Sequence, residues 1–290
     1  MTATVLADEL GPRGRRRVAA ASAVAGAGLV AVVWLVASRL RAEGQLDGDL
    51  WHPLATASVL RFLAGGLLNT LKAAAVAMLA ATAVGVLMAL ARLSRSRLVR
   101  TLAALYVDFF RAVPLIVLIS FASLGLPRQG ISLPLFWYLV IGLSIYNSSV
   151  LAEIFRAGIL SLDRGQSEAA HALGLGYWST MGRVVIPQAA RRMVPAVVSQ
   201  WVTLLKDTSL GFVVPYDDLL GRAKQTGEFF RNPLQSLAAA AAVYVVVNFT
   251  LSRVARRLEV RQRRRYRAGR IDVKGVEDLA VLGAHGEAER

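Results

Sequence analysis

The sequence contains no cysteine and only three histidines, His52, His171 and His285. Without thiols there is no disulfide framework and no thiolate metal site. The histidines lie too far apart for the short ligand spacing of a zinc site. No GxxxxGK[ST] run occurs, so the chain has no phosphate-binding loop of its own. HExxH and a clustered Ser/His pair are absent too, which argues against a membrane-embedded enzyme. Acids are scarce: 19 Asp and Glu face 34 Lys and Arg, a formal charge of +15. That excess raises nucleic acid as a partner. The placement of the basic residues excludes it, because they gather at the ends of apolar runs, as Lys and Arg do in cytoplasmic loops.

What the chain has in abundance is apolar surface. Hydrophobic residues make up 55% of its 290 positions, and the mean hydropathy is +0.49. Apolar runs of ~20 residues are the length a helix needs to cross a ~30 Å hydrocarbon layer. Six such spans are expected, near residues 18–38, 67–91, 102–126, 133–155, 190–214 and 234–253. The first exceeds the ~7–15 apolar residues of a cleaved signal, so it reads as a retained helix. Arg-rich stretches at 13–17, 92–100, 156–192 and 253–267 fall on one side in this scheme. The basic-loop rule then predicts a multi-pass cell-membrane protein with both termini cytoplasmic. Lipid excludes irregular backbone, so the fold class is an all-α polytopic helical bundle.

The expected organisation is a cytoplasmic N-terminal tail (1–17), a first transmembrane helix with an outer loop (18–66), a core transmembrane domain (67–258) and a C-terminal tail (259–290). That tail is basic at first and loosely ordered over its last ~20 residues. Within the second span Ala73, Ala77, Ala81, Gly85 and Ala89 recur every four residues. The stripe is either a close helix–helix contact or plain alanine richness. The third span holds Asp108, Arg111 and Pro114. Either its helix starts early and embeds both charges, or the segment bends near Pro114. The charges, three apart, can face each other at the inner headgroup boundary or serve a pathway.

Between spans four and five lies a long polar loop, 160–188, that includes RGQSEAAHALGLGYW (164–178). Ser167 before Glu168 suits a helix start, with polar groups in the opening turn. Gly174 and Gly176 interrupt that helix and permit a sharp turn. Tyr177, Trp178 and Met181 begin a second helical pattern, expected to stop near Pro187. The result is a short helix–turn–helix lying across the membrane surface. Resting on anionic headgroups is the rival role for it. Acidic Asp163 and Glu168, and the lack of Lys on that helix, weigh against this.

The spacing Glu168-Ala169-Ala170, Gly174, Val184, Ile186-Pro187 resembles the EAA loop of ABC-importer permease subunits. FFRAVPLIVL (109–118), AEIFRAGILSLDRGQSEAAHALGL (152–175) and LLKDTSL (204–210) resemble the polar amino-acid uptake subfamily. The resemblance spans roughly 60–260. Ala112 and Val113 depart from the Gly-Thr usual after the Phe-Arg pair. The resemblance implies a MetI-like permease fold and a chain that does no chemistry. Its loop would dock on a separate cytoplasmic ATPase dimer, through Gln166, Glu168, Ala169, Ala170, Ala172, Gly174 and Pro187. ATP and Mg would be used by that ATPase, and this chain would bind no cofactor or metal. An extracytoplasmic amino-acid-binding protein would deliver the cargo: glutamate, glutamine, aspartate or a basic amino acid. A second permease, identical or a sister, would complete the path among the membrane lipids.

Polar residues inside spans are candidates for that path. They are Asn147 and Ser148 in the fourth span, and Gln200, Thr203, Lys206, Asp207 and Thr208 in the fifth. Gln200, Thr203 and Asp207 share one helical face. Each has a rival role in interhelical hydrogen bonding, and Lys206 and Asp207 in an ion pair at the outer boundary. An ion-gradient-driven secondary transporter is the competing class. It would carry mid-span coupling carboxylates and helices in repeats.

Overall fold

The computed structural model describes residues 11–268. The expectation of a loose tail falls on its last residues, which lie outside that range. Eleven α-helices occur among the described residues, and no strand. In chain order they are α1 (Pro12–Ala42), α2 (Gly48–Trp51), α3 (Ala57–Arg92), α4 (Arg97–Ala112), α5 (Leu115–Arg128), α6 (Leu135–Leu160), α7 (Arg164–Ala172), α8 (Tyr177–Thr180), α9 (Ile186–Asp207), α10 (Leu219–Phe229) and α11 (Pro233–Ala268).

The core forms where small side chains let backbones meet. Ala73, Ala77, Ala81, Gly85 and Ala89 of α3 are all buried. A methyl group at Gly85 would lie 3.0 Å from Leu151 Cβ and 3.1 Å from the Ser148 carbonyl of α6. The four-residue stripe is therefore the seam along which α3 and α6 pack, and not incidental alanine richness. Leu139, Leu143 and Leu151 of α6 fill the same core as Ala73, Ala77 and Ala81. Gly142, elsewhere on α6, admits α5 in the same way: a methyl there would come within 2.9 Å of Ile119 Cα.

Of the two readings of the third span, the bent one holds. α4 and α5 meet at 98°. Val113 is extended (φ −82°, ψ 128°), as steric crowding by the Pro114 ring requires of the residue before it. Asp108 does not pair with Arg111. It lies 3.7 Å from Arg92, which also donates to Glu153 at 2.7 Å. Arg156 completes this charged cluster by bonding Glu153, so α3, α4 and α6 are tied together at one end of the bundle.

Length and composition identify four helices able to cross a membrane: α1, α3, α6 and the Pro233–Val254 part of α11. The bent α4–α5 pair makes a fifth if counted as one span. The sixth expected span is too polar to pass that test, and packing identifies it instead. α9 has 22 residues, ~33 Å of helix, and runs antiparallel to α6. Met193 abuts Gly158, Gln200 bonds Asn147, and Gly211 beyond the helix abuts Leu139. The expected span 190–214 is shifted: α9 begins at Ile186, and Thr208–Val213 is a tight 3-10 turn. α1 stands apart, with no buried residue and no acid along its length.

Pro187 does not stop a helix, contrary to the sequence-based expectation. α8 runs through one wide turn, Met181–Val185, directly into α9, and Ile186 N–H bonds the Met181 carbonyl five residues back. Pro187 is the second residue of α9 in a continuous helical run, and its missing N–H falls where the wide turn already breaks the regular bonding. The wide turn also makes room for its ring, which would otherwise press on a preceding carbonyl.

Overpacking the α5–α6 contact should be costly. Gly142→Ala is expected to destabilise the protein by about 1–3 kcal/mol, seen as a lower melting temperature in detergent. Gly28→Ala in α1, where a methyl meets nothing within 4 Å, should leave that temperature unchanged.

Candidate functional site: a terminal hairpin and a polar cleft

The loop 160–188 folds as a helical hairpin beside the charged cluster. α7 begins at Arg164, three residues before the expected start at Ser167. Its N-cap is Asp163, whose carboxylate accepts the Gly165 N–H at 2.9 Å. The Asp163-x-x-Gln166 spacing, a capping pattern, was the signal for it. The C-terminus closes as a Schellman motif. Gly174 N–H bonds the His171 carbonyl (2.9 Å) and Leu175 N–H bonds the Ala170 carbonyl (3.1 Å). This geometry puts Gly174 at φ +80°, which explains the glycine. A methyl at Gly174 would meet nothing within 4 Å, so the surface beside it is open.

α7 folds back on the wide turn and α8. Ala170 is buried there, as is Thr180, whose hydroxyl reaches the Leu175 carbonyl at 3.4 Å. Gln188 donates to Gln166 at 3.3 Å, and Arg192 donates to the Ser161 carbonyl at 2.8 Å. Arg95, from the loop after α3, lies over the Tyr177 ring at 4.9 Å. The hairpin is thus held from several elements.

Of the seven hairpin residues singled out in the sequence, Gln166, Glu168, Ala169, Ala172, Gly174 and Pro187 are exposed. Ala170 points inward and packs the hairpin itself. Two residues that sequence reasoning passed over complete the outer face: Leu173 at 84% exposure and Trp178 at 83%. The available signal was a large apolar side chain on either side of the glycine turn in an otherwise polar loop. Exposed alanines beside a bare Leu and a bare Trp leave apolar surface uncovered on this hairpin.

The polar residues of the spans separate into two groups. Asn147 is fully buried and accepts from Gln200 Nε2 at 2.8 Å, while its own amide donates to the Leu143 carbonyl. Ser148 bonds the Tyr106 hydroxyl at 2.8 Å. Thr208 is buried and donates to the Leu205 carbonyl. Asn147 and Ser148 thereby tie α6 to α9 and α4, whereas Thr208 bonds within its own turn.

Thr203 and Lys206 instead line a cleft of about 730 Å³ between α9 and α11, with Ser199, Tyr244, Asn248 and Arg256. Asp207 is half-buried beside it and, among the described residues, forms no ion pair with Lys206. Asn248 is 8% exposed, and its Oδ1 has no hydrogen-bond partner. Tyr244 Oη, near the Thr70 and Thr208 hydroxyls, makes no well-formed bond. Unsatisfied buried polar atoms beside a cleft are groups that a bound solute can satisfy. Sequence reasoning missed Tyr244 and Asn248, the two polar residues of the run LAAAAAVYVVVNF, four apart on one helix face. No cluster of three or more metal-ligating side chains occurs among the described residues.

This architecture is that of a transport permease. Residues 81–264 match the family of binding-protein-dependent transport system inner membrane components, and the chain belongs to that family. It is 37% identical over 235 residues to the glutamate transport system permease protein GluD of Corynebacterium glutamicum, covering 80% of this chain and 85% of that protein. It is 39% identical over 209 residues to the probable glutamine ABC transporter permease protein GlnP of Bacillus subtilis, covering 70% of this chain and 94% of that one. The crystal structure of an amino acid ABC transporter with histidines superposes with a TM-score of 0.68 at 30% identity, over 72% of this chain and 97% of that one. The matched family segment contains the hairpin and the cleft; α1 lies outside it. The chain is therefore a multi-pass membrane permease of the ABC-importer type, and the ion-driven carrier reading falls. Permeases of this family are not themselves catalysts and work with ATPase and substrate-binding proteins.

The left-handed conformation at Gly174 carries a prediction. Gly174→Ala costs about 1–2 kcal/mol locally, because a β-carbon there crowds the following carbonyl. Hydrogen exchange of amides 164–175 should quicken while the core spans are unaffected. Gly174→Asn should exchange more slowly than the alanine variant, since Asn tolerates this conformation better.

Proposed function

We propose that this chain forms the membrane path of an ATP-driven importer for a polar amino acid, and that the α7–α8 hairpin receives the motion of a cytoplasmic ATPase dimer. The observation that carries this reading is the hairpin's bare outer face. Glu168, Ala169 and Ala172 give a slim surface with one negative charge, and Leu173 and Trp178 supply apolar anchors. Gly174 leaves open space for close approach. ATP and Mg are handled by the ATPase, and this chain holds no cofactor. Glutamate, glutamine, aspartate and basic amino acids are the candidate cargoes; the relatives named for glutamate and glutamine support the first two. The α9–α11 cleft, with Thr203, Lys206 and the unsatisfied Asn248, is the candidate segment of the path. Asn147, Ser148 and Gln200 position the helices around it, and Thr208, a further candidate for the path, bonds within its own turn. A second permease, identical or a sister, completes the pathway, and an extracytoplasmic binding protein delivers the solute.

Gly174→Asp tests the coupling role, because it adds both bulk and charge where the partner must approach. It should abolish ATP-dependent uptake in vesicles and weaken co-purification of the ATPase, with membrane insertion intact. Normal uptake with normal ATPase association would falsify the role of the hairpin. The basic-residue distribution supports an inside location for both termini. Reporter fusions before residue 18 and after residue 260 should both read cytoplasmic.

A further inference from the structure

A second cleft lies away from the polar one, between α3, α6 and α9. Its volume is about 490 Å³, and its walls are almost wholly apolar, including Leu90, Ile159, Ile186 and Val198. Its polar side chains bond each other: Trp201 Nε1 donates to Thr82 Oγ1 at 3.4 Å. The cleft therefore offers an incoming group dispersion contacts and no orphaned hydrogen-bonding atom. It follows α9 from Ile186 to Trp201, ~22 Å of helix, so it is long and runs with the spans. Its Ile186 end lies where the chain turns into the hairpin.

One charged residue stands at its rim. Arg191 follows the lining residue Ala190 on α9 and lies beside Val198 in helical projection. It is exposed, and among the described residues it has no ion-pair partner. Its neighbour Arg192 also has no ion pair among the described residues, but it lies on the helix face turned from the cleft and donates to the Ser161 carbonyl. A guanidinium this close to the hydrocarbon region needs a counter-charge. α1, the unattached apolar helix of this chain, has no acid and carries arginines at both ends, so in neither direction does it supply one.

We propose that this cleft binds one acyl chain of an anionic phospholipid, with the lipid phosphate on Arg191. The occupant follows from the combination: a long, dry channel open beside the spans, and one unmatched cation at its edge near the hairpin end. A phosphate accepts several guanidinium hydrogen bonds, and the chain below it fills space that would otherwise lack contacts.

The test uses the full-length permease with Trp34, Trp51, Trp137 and Trp178 changed to Phe, so that Trp201 alone emits. It is reconstituted in phosphatidylcholine vesicles containing rising fractions of phosphatidylglycerol brominated in mid-chain. Half-quenching of Trp201 is expected at a lipid fraction about fivefold lower than with brominated phosphatidylcholine, the factor one arginine near an anionic headgroup supplies. Arg191→Gln should remove that difference and Arg191→Lys should keep most of it. Val198→Phe, which fills the cleft one turn from Trp201, should reduce quenching by both lipids. If the single-tryptophan chain does not fold, the unmodified permease and its R191Q variant serve instead. Retention of phosphatidylglycerol over phosphatidylcholine through detergent exchange is then read by native mass spectrometry. Equal half-quenching fractions or equal retention for the two lipids overturn the proposal, as does a preference that R191Q leaves intact. Trp201 emission that neither lipid quenches also overturns it, because α1 or a second copy of the chain then fills the cleft.

Discussion

The close contact between α3 and α6 is the constraint on which the rest of the bundle depends. In lipid no hydrophobic force drives two apolar helices together, so contact area and backbone proximity must do it. The Ala73–Ala89 stripe supplies both, and α6 answers with Leu139, Leu143 and Leu151. Once α6 is placed, its other faces organise everything else. Gly142 receives α5, Asn147 receives Gln200 of α9, and Glu153 receives Arg92. A single helix thus carries a packing seam and an ionic tie to α3, a close contact with α5 and a polar seam to α9.

Where the sequence was legible, a strong local rule applied. The α3 stripe showed as a four-residue period, the hairpin as two glycines in a polar run, and the bend as a proline after a helical segment. Helix ends were less legible, because they depend on caps. Asp163 set the start of α7, and the reading overlooked it in favour of Ser167. Pro187 was read as a stop because a proline removes a donor. The chain absorbed that loss in one wide turn, a tertiary accommodation with no local signature.

Side-chain roles within the spans were the least legible. Asn147, Gln200, Thr203 and Asp207 are equally polar on paper. In space, Asn147 and Gln200 satisfy each other, whereas Thr203 faces α11 across a cleft. The difference is set by which neighbour each helical face meets, and a single sequence contains no record of neighbours. Tyr244 and Asn248 escaped notice for the same reason. They matter because α9 lies opposite them and leaves Asn248 Oδ1 without a donor.

The wide turn between α8 and α9 has a mechanical consequence. From Tyr177 to Asp207 the backbone is helical without a loop, so the hairpin's second arm and the membrane helix form one rod. A force applied at Trp178 is not dissipated in a slack tether. It would arrive as tilt or rotation of a lever whose far end carries Lys206 and which Asn147 holds at Gln200, about three-quarters of the way along. A displacement at the tip would thereby reach the wall of the polar cleft, with the Asn147–Gln200 bond as one pivot.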